Sequence, residues 1–345
     1  MSGIRTTVAS ILLVVVSLMV LASGVSTAAS PSRPGRKIPV IFDTDICDDI
    51  DDTWALALLL QSSEFDVKLI TTAVRNTPSK ATVVAKFLQT VGRTDIPVGI
   101  GVQKGTSAHR QQEWIKDYAL SSYPGKVHQD GVQAIIDTIM KSREPVKLIA
   151  TGPLPNVAAA LEREPRIAEK AEFVGMHGSV RLGYGGSRKI SAEYNVKADV
   201  KSAQKVFTAP WDIIITPLDT CGLVHLKGQK YQKVYENNSP LTKALIENYR
   251  AWYKEGLRRS NKNLSEAELN KRTDQKVGSS STTLFDTVAI YLAMSTDLVK
   301  MEDLPIKVTG DGYTKIENGA KVIRCATAWK DLGAFEDFLV ERLTK

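Results

Sequence analysis

Cysteine, histidine and long apolar runs are all scarce in this sequence, and each scarcity excludes something. The 3 cysteines, Cys47, Cys221 and Cys325, match no metal-ligand spacing, and an odd number leaves room for one disulfide with a free thiol or for none. The 4 histidines form no metal-binding set, and His177 with the others is expected to be structural or solvated. No Gly/Ser/Pro linker, low-complexity tract or internal repeat divides the chain after residue 37, so one domain is expected over 38–345. The basic excess is modest, 45 Lys+Arg against 38 Asp+Glu, or +7. These charges are interspersed, without an aromatic-interleaved basic stripe, which argues against nucleic-acid or membrane partners.

The most apolar stretch, Val8 to Ala22, is about 15 residues, short of the ~20 that span a bilayer. Arg5 precedes it and the small residues Ser26-Thr27-Ala28 follow, so 1–29 reads as a signal peptide, with no cysteine there to carry a lipid. Residues 30–37, with two prolines and three basic residues, read as a leader. A secreted or periplasmic location is therefore expected, with no membrane attachment after cleavage.

The remainder alternates short apolar runs with helical patterns. Runs at Ile38–Phe42, Phe65–Val74, Ile96–Ile100, Val146–Ala150, Phe173–Met176 and Trp211–Ile215 read as strands. Thr53–Gln61, Ala81–Val91, Gly131–Ser142 and Asn156–Leu161 read as helices. Uninterrupted apolar strands between helices are covered on both faces. The expected fold is α/β: a single Rossmann-like domain with a mainly parallel central sheet flanked by helices. Its ligand site is expected where strands end and loops enter helices.

One such loop, Asp43 to Asp52, carries six aspartates within ten residues. A helix start at Thr53 favours one or two acidic caps. Six adjacent carboxylates repel one another, and a hard divalent cation that takes oxygen ligands removes the penalty. A DxD after a first strand also opens phosphatases whose first aspartate is the nucleophile.

Further motifs favour another family. Asp43-Thr44-Asp45-Ile46 and Asp49-Ile50-Asp51-Asp52, followed by Ala55-Leu56, resemble the N-terminal signature of the inosine-uridine-preferring nucleoside hydrolases. Thr71-Thr72-Ala73-Val74 with Asn76, Thr151-Gly152-Pro153-Leu154 with Asn156, and Met176 with Gly178 resemble later motifs of that family. So do Glu193-Tyr194-Asn195 with Asp199, Pro217-Leu218-Asp219, and Phe285-Asp286 with Val288-Ala289. All occur in family order, from Asp43 to about Ala289.

The resemblance implies calcium-dependent hydrolysis of the N-glycosidic bond of ribonucleosides by an activated water, through a ribosyl cation. It implies Asp45 as ligand or base and Asn76 near the attacking water. Asp52, Asp286 and the Thr151 carbonyl are implied as further metal ligands, with Asp49 in reserve. Asp51, Met176, Glu193, Asn195 and Asp286 are implied around the ribose, and a homo-oligomer is expected. The family's aspartate pair fits Asp51-Asp52 if two residues are inserted into the loop. Cys47 stands where glycine is common, Ser187 where an asparagine reaches the ribose 5′-hydroxyl, and Phe285 where many members carry a histidine that protonates the departing base. Tyr249 to Tyr253, on a helix, suits either base stacking or packing, and the polar stretch Arg258–Ser281 is expected to be mobile. The rival readings are a nucleoside-binding protein that has lost catalysis with that histidine, and a metal-dependent phosphatase, which has no use for Glu193 and Asn195.

Overall fold

The apolar runs become neighbours in one sheet. The computed structural model describes residues 36–345; the expected signal segment and the leader up to residue 35 lie outside them. β1 (Ile38–Thr44), β2 (Phe65–Thr72), β3 (Val98–Ile100), β4 (Val127–His128), β5 (Val146–Ala150), β6 (Ala171–Met176) and β7 (Ile213–Thr216) run parallel in the order β4-β3-β2-β1-β5-β6-β7. Three further strands complete a 10-stranded sheet: β8 (Val299–Val308), β9 (Thr314–Ile316) and β10 (Val322–Trp329). β10 lies parallel to β7, while β8 and β9 are antiparallel to their neighbours.

Helices cover both faces: α1 (Asp51–Gln61), α2 (Thr77–Thr90), α3 (Gly131–Lys141), α4 (Pro155–Arg163), α5 (Tyr194–Ala198) and α6 (Val200–Thr208), then α7 (Gly228–Tyr235), α8 (Pro240–Ser260), α9 (Glu266–Val277), α10 (Thr287–Leu292) and α11 (Leu332–Leu343). The period-2 alternation of a strand splits the core between the faces. Val40 and Phe42 of β1 pack with α1, α2 and α8, whereas Ile41 packs with α3, α4 and α6. α1 is buried from Asp51 to Leu59, so its apolar surface and its acidic first turn both lie inside the protein. Among the described residues no helix is long and apolar enough to cross a membrane.

One expectation needs correction. The stretch Arg258–Ser281 is ordered: α8 runs to Ser260 and α9 fills Glu266–Val277. Ser265 and Glu268 close a capping box, and Leu269, Thr273 and Val277, four residues apart, form one buried stripe. Of the two arrangements left open for the thiols, the structure has the unpaired one: Cys47, Cys221 and Cys325 are all free and buried. Cys47 has φ 82°, in the left-handed region that glycine adopts most easily, which fits its place at a position where glycine is common.

Candidate active site

Three strand ends and one helix start converge on the site. β1 runs through the aspartate loop into α1, Thr151 follows β5, Met176 ends β6, and Asp286 precedes α10. The chain leaves β1 for β2 on one side and returns to β5 on the other. Open α/β sheets bind ligands at such a reversal of strand order. A cavity of about 250 Å³ opens there, near the lower end of the ~300–1,000 Å³ usual for small ligands.

Its floor is acidic. Asp51, Asp52 and Asp286, all buried, each bring a carboxylate oxygen within 4.8 Å of the others. The Asp286 backbone N–H donates to Asp51 Oδ2 at 3.3 Å. Asp52 Oδ1 accepts from the Thr151 hydroxyl at 3.0 Å and from the Thr44 hydroxyl. Asp45 lines the same cavity, and Gly152 lies so close that a Cβ there would stand 2.7 Å from the Asp45 Cβ. Burial pushes the Asp52 carboxyl up to about 7. Burial, then the neighbouring carboxylates, push Asp45, Asp51 and Asp286 well above the usual range.

A helix N-terminus favours an acidic side chain by about 0.3–1 kcal/mol, whereas burying a charge costs several kcal/mol. The start of α1 therefore does not account for three clustered carboxylates. Their donor set, hard oxygens with the Thr151 carbonyl nearby, suits a divalent metal ion. A metal ion fits this site.

Polar groups with fixed orientations surround the floor. Asn195 Nδ2 donates to the carbonyls of Thr151 at 2.8 Å and Met176 at 3.0 Å. With the amide nitrogen so engaged, its oxygen remains to accept from a ligand. Glu193 caps α5: its carboxylate accepts from the backbone N–H of Asn195 at 2.7 Å, Gly178 at 3.0 Å and Val196 at 3.2 Å. Burial nonetheless raises the Glu193 carboxyl to about 7. Asp219 accepts from the backbone of Val180 and Arg181 at 2.9 and 2.8 Å, which orders the loop after β6.

The structure thus gathers Asp45, Asp51, Asp52, Thr151 and Asp286, with Met176, Glu193 and Asn195, around one cavity. Asp49 also lines it but stands outside the close trio, its Oδ1 accepting from the Ile50 N–H at 2.6 Å. Asn76 requires correction. Its side chain caps α2, accepting from the Ser79 N–H at 3.2 Å and donating to the Thr106 carbonyl at 3.2 Å, and it does not line the cavity. The reason is local: Asn76 immediately precedes α2, where an asparagine caps the free N–H groups. Ser187 is exposed and also stands off the cavity. Tyr249 and Trp252 are buried in α8, so their role is packing. His177 is buried behind the site, with Nε2 3.0 Å from the Gly152 carbonyl.

Sequence reasoning gave no individual role to four lining residues: Asp48 and Tyr194, which lie within the motifs it quoted, and Arg75 and Tyr184, which it did not name. Tyr184 meets Phe285 edge to face, ring centroids 6.1 Å apart, and its hydroxyl oxygen accepts from the Tyr194 N–H at 2.9 Å. The available signal was Gly183, Gly185 and Gly186 around Tyr184, the last two with φ 65° and 76° in the tight turn that presents the ring. Phe285 itself lines the cavity.

A family model described as inosine-uridine preferring nucleoside hydrolase matches residues 40–333. The chain belongs to this family. It is 30% identical over 229 residues to a pyrimidine-specific ribonucleoside hydrolase, RihA, of Citrobacter koseri, across 61% of this chain and 69% of that protein. The RihA of an Escherichia coli strain is 28% identical over 222 residues, across 61% of this chain and 70% of that protein. Among solved structures, a plant nucleoside hydrolase superposes with a TM-score of 0.71 at 22% identity, over 90% of this chain and 99% of that one. A purine-preferring ribonucleoside hydrolase from Gardnerella vaginalis gives 0.69 at 19% identity, over 89% and 98%. These two share the fold. The chain is accordingly a nucleoside hydrolase, and its cavity at the β1–β5 reversal is the candidate active site of that enzyme.

Proposed function

We propose that this nucleoside hydrolase cleaves the N-glycosidic bond of ribonucleosides to free base and ribose, with calcium as its metal. The observation that carries the reading is the buried trio Asp51, Asp52 and Asp286 in one cavity with Glu193 and Asn195. Calcium accepts six to eight oxygen ligands in flexible geometry, which suits several carboxylates and a carbonyl better than the strict octahedron of magnesium does. Asp52, Asp286 and the Thr151 carbonyl would hold the ion, with Asp51 and Asp45 beside them. When bound, it would orient a water and lower its pKa enough for a neighbouring carboxylate to take its proton.

The chain's own groups do the rest. Asp45 lines the cavity next to the trio and takes the proton of the attacking water. Asp51, the Asn195 amide oxygen and the Glu193 carboxylate accept from the ribose hydroxyls and fix the sugar, while Met176 packs beneath it. Negative charge gathered by Asp45, Asp51 and Asp286 also stabilises the positive charge that the ribosyl group develops. Phe285 has no proton to give the departing base. Tyr184 stands edge-on to Phe285 and carries a hydroxyl whose oxygen is already engaged by the Tyr194 N–H, so its hydrogen is available to the base. Burial raises the Tyr184 phenol, so it acts as a hydrogen-bond donor rather than by full proton transfer. Release to the secreted or periplasmic space belongs to the same reading and rests on residues 1–29.

The test is ribose release from uridine, inosine, adenosine and guanosine, with and without a chelator and with calcium or magnesium restored. Turnover lost to the chelator and regained with calcium is the expected result. Tight nucleoside binding without any ribose would favour a binding protein instead, and magnesium restoring as well as calcium would overturn the choice of metal.

A further inference from the structure

When the N-glycosidic bond of a ribonucleoside breaks, the base departs with the electron pair and gains negative charge. Phe285 offers it no proton, and Tyr184 offers only a neutral hydrogen bond. The cavity holds one group of the required charge. Among the described residues Arg75 is the sole cation that lines it, beside seven carboxyl side chains. We propose that Arg75, together with the Tyr194 hydroxyl it engages, is the catalytic group that holds the departing base as an anion. The proposal rests on the ribonucleoside reading above and deepens it.

The side chains at the cavity mouth form a connected series. Phe285 meets Tyr184 edge to face, and the Tyr184 oxygen accepts from the Tyr194 N–H at 2.9 Å. The Tyr194 oxygen in turn accepts from Arg75 Nη2 at 3.1 Å, and Arg75 Nε lies 2.9 Å from Asp48 Oδ2. A guanidinium carries five N–H groups. Two are engaged in this way, and the other three have no partner among the described residues. Because the Tyr194 oxygen is an acceptor here, its own hydrogen is free to donate as well. The Arg75 side chain is 56% exposed and Tyr194 44%, whereas the acids of the floor are buried. A sugar whose hydroxyls meet those acids turns the rest of the nucleoside toward this mouth. The loop after β6, where the resemblance puts the ribose 5′ end, lies across the β1–β5 reversal from Arg75, which follows β2. C1′ and C4′ stand on opposite sides of the ring oxygen, so the base is the substituent that meets the guanidinium.

Neutralising Asp48 does not require Arg75. Buried Lys80 lies 3.1 Å from Asp48 Oδ1 and supplies that carboxylate with a counter-charge of its own. The backbone also departs from what packing alone favours, since Val74 and Arg75 adopt φ 51° and 54°. Such strain in residues other than glycine persists only where the surroundings impose it, and it gathers at active sites. Here it carries the guanidinium across the mouth to Tyr194. The reaction balances with water alone. The water gives one proton to Asp45 and its hydroxyl to C1′, while the C1′–N bond breaks and its electron pair leaves with the base. Arg75 and Tyr194 hold that anion by charge-assisted hydrogen bonds. It takes a proton from solvent at the open mouth, and Asp45 returns the first proton to solvent.

The deciding experiment measures kcat and KM of the calcium-loaded parent, Arg75→Gln and Arg75→Lys on uridine, 5′-deoxyuridine and 4-nitrophenyl riboside. Bound calcium and melting temperature are followed alongside. Arg75→Gln should lower kcat on uridine about a hundredfold, the worth of one preorganised donor at a developing charge, with KM nearly unchanged. The loss on 5′-deoxyuridine should be equal. On 4-nitrophenyl riboside, whose leaving group is a stable anion unaided, the loss should be slight. Arg75→Lys keeps the charge without the planar fork and should recover part of the uridine rate. Calcium content and melting temperature should stay near those of the parent. Equal losses on uridine and 4-nitrophenyl riboside, or a loss of calcium, would mean that Arg75 acts through Asp48 on the aspartate loop and would overturn the proposal. A loss on uridine that 5′-deoxyuridine escapes would put Arg75 at the 5′ end and overturn it too. Unchanged uridine turnover in Arg75→Gln overturns the proposal alone and leaves the ribonucleoside reading standing. A parent that releases ribose from no ribonucleoside sinks both.

Discussion

The active-site floor and the neighbouring pocket lined by Asp48, Arg75, Lys80, Arg110 and Arg259 share the loop after β1, yet they carry opposite charge. Asp43 to Asp52 supplies Asp48 to the pocket and Asp51 and Asp52 to the floor, and Asp286 joins the floor from the start of α10. What differs is the company each carboxylate keeps. Asp48 is flanked by Arg75 and Lys80 at 2.9 and 3.1 Å, so the protein neutralises it from within. Asp51, Asp52 and Asp286 have no ion-pair partner among the described residues, although they are buried and their oxygens lie within 4.8 Å of each other. A carboxylate cluster that the chain leaves uncompensated must be protonated or bind a cation. The lesson is that the number of aspartates in a loop says little; the placement of the chain's own cations decides which become ligands.

The largest expected effect tests that division directly. Asp52→Ala or Asp286→Ala should remove bound calcium and lower turnover by about a thousandfold, at or beyond the top of the range for losing one preorganised electrostatic group. Asp49→Ala, outside the trio, should cost less than about tenfold. Metal content and kcat/KM of the three variants give the answer. Were Asp49→Ala the damaging change and Asp52→Ala mild, the assignment of ligands to the start of α1 would be wrong.

A second effect lies behind the acidic floor. His177 is wholly buried, and burial lowers its ring from 6.5 to about 4. The folded state therefore favours the neutral ring. The stability this contributes is present above pH 6.5 and is lost as pH falls from 6.5 toward 4. The full difference is on the order of 3 kcal/mol. The raised carboxyls of the floor act in the opposite sense in metal-free protein, since their protonated forms are favoured on folding. The useful readout is thus the difference in slope of melting temperature against pH between parent and His177→Gln, both calcium-loaded. A smaller loss in the variant between pH 6.5 and 4 is expected; parallel curves would show that His177 does not titrate with unfolding.

Much of this architecture was legible in the sequence, for physical reasons that also explain the gaps. The parallel strands are continuous apolar runs such as Val146–Ala150, and a strand buried on both faces cannot look otherwise. β8 was missed because it is amphipathic and lies toward the edge, with Lys300, Glu302, Asp303 and Lys307 among its residues. α9 was mistaken for a mobile stretch because composition outweighed the four-residue spacing of Leu269, Thr273 and Val277. The acidic and amide groups of the candidate site follow strand ends in family order and could be named. Arg75 and Tyr184 could not: one owes its position to a left-handed backbone, the other to a turn with two left-handed glycines, and neither conformation is written in hydrophobic periodicity.

Tyr184 also gives the smallest and most discriminating prediction, because it addresses the wall opposite the acidic floor. Phe285 meets it edge-on at 6.1 Å. The ring pair supplies apolar contact whatever the base, and only the hydroxyl distinguishes a hydrogen-bonding role. Tyr184→Phe keeps the ring and removes the oxygen that accepts from the Tyr194 N–H at 2.9 Å. If the hydroxyl assists the departing base, kcat should fall by up to about tenfold, the worth of one hydrogen bond, with KM nearly unchanged. A substrate with a better leaving group, such as 4-nitrophenyl riboside, should be hydrolysed almost equally by both proteins, since its departure needs no donor. A uniform fall on both substrates would instead mean that the lost contact to Tyr194 had disturbed Glu193 and Asn195 beside it. Tyr184 would then belong with the sugar-holding side of the cavity rather than with the base.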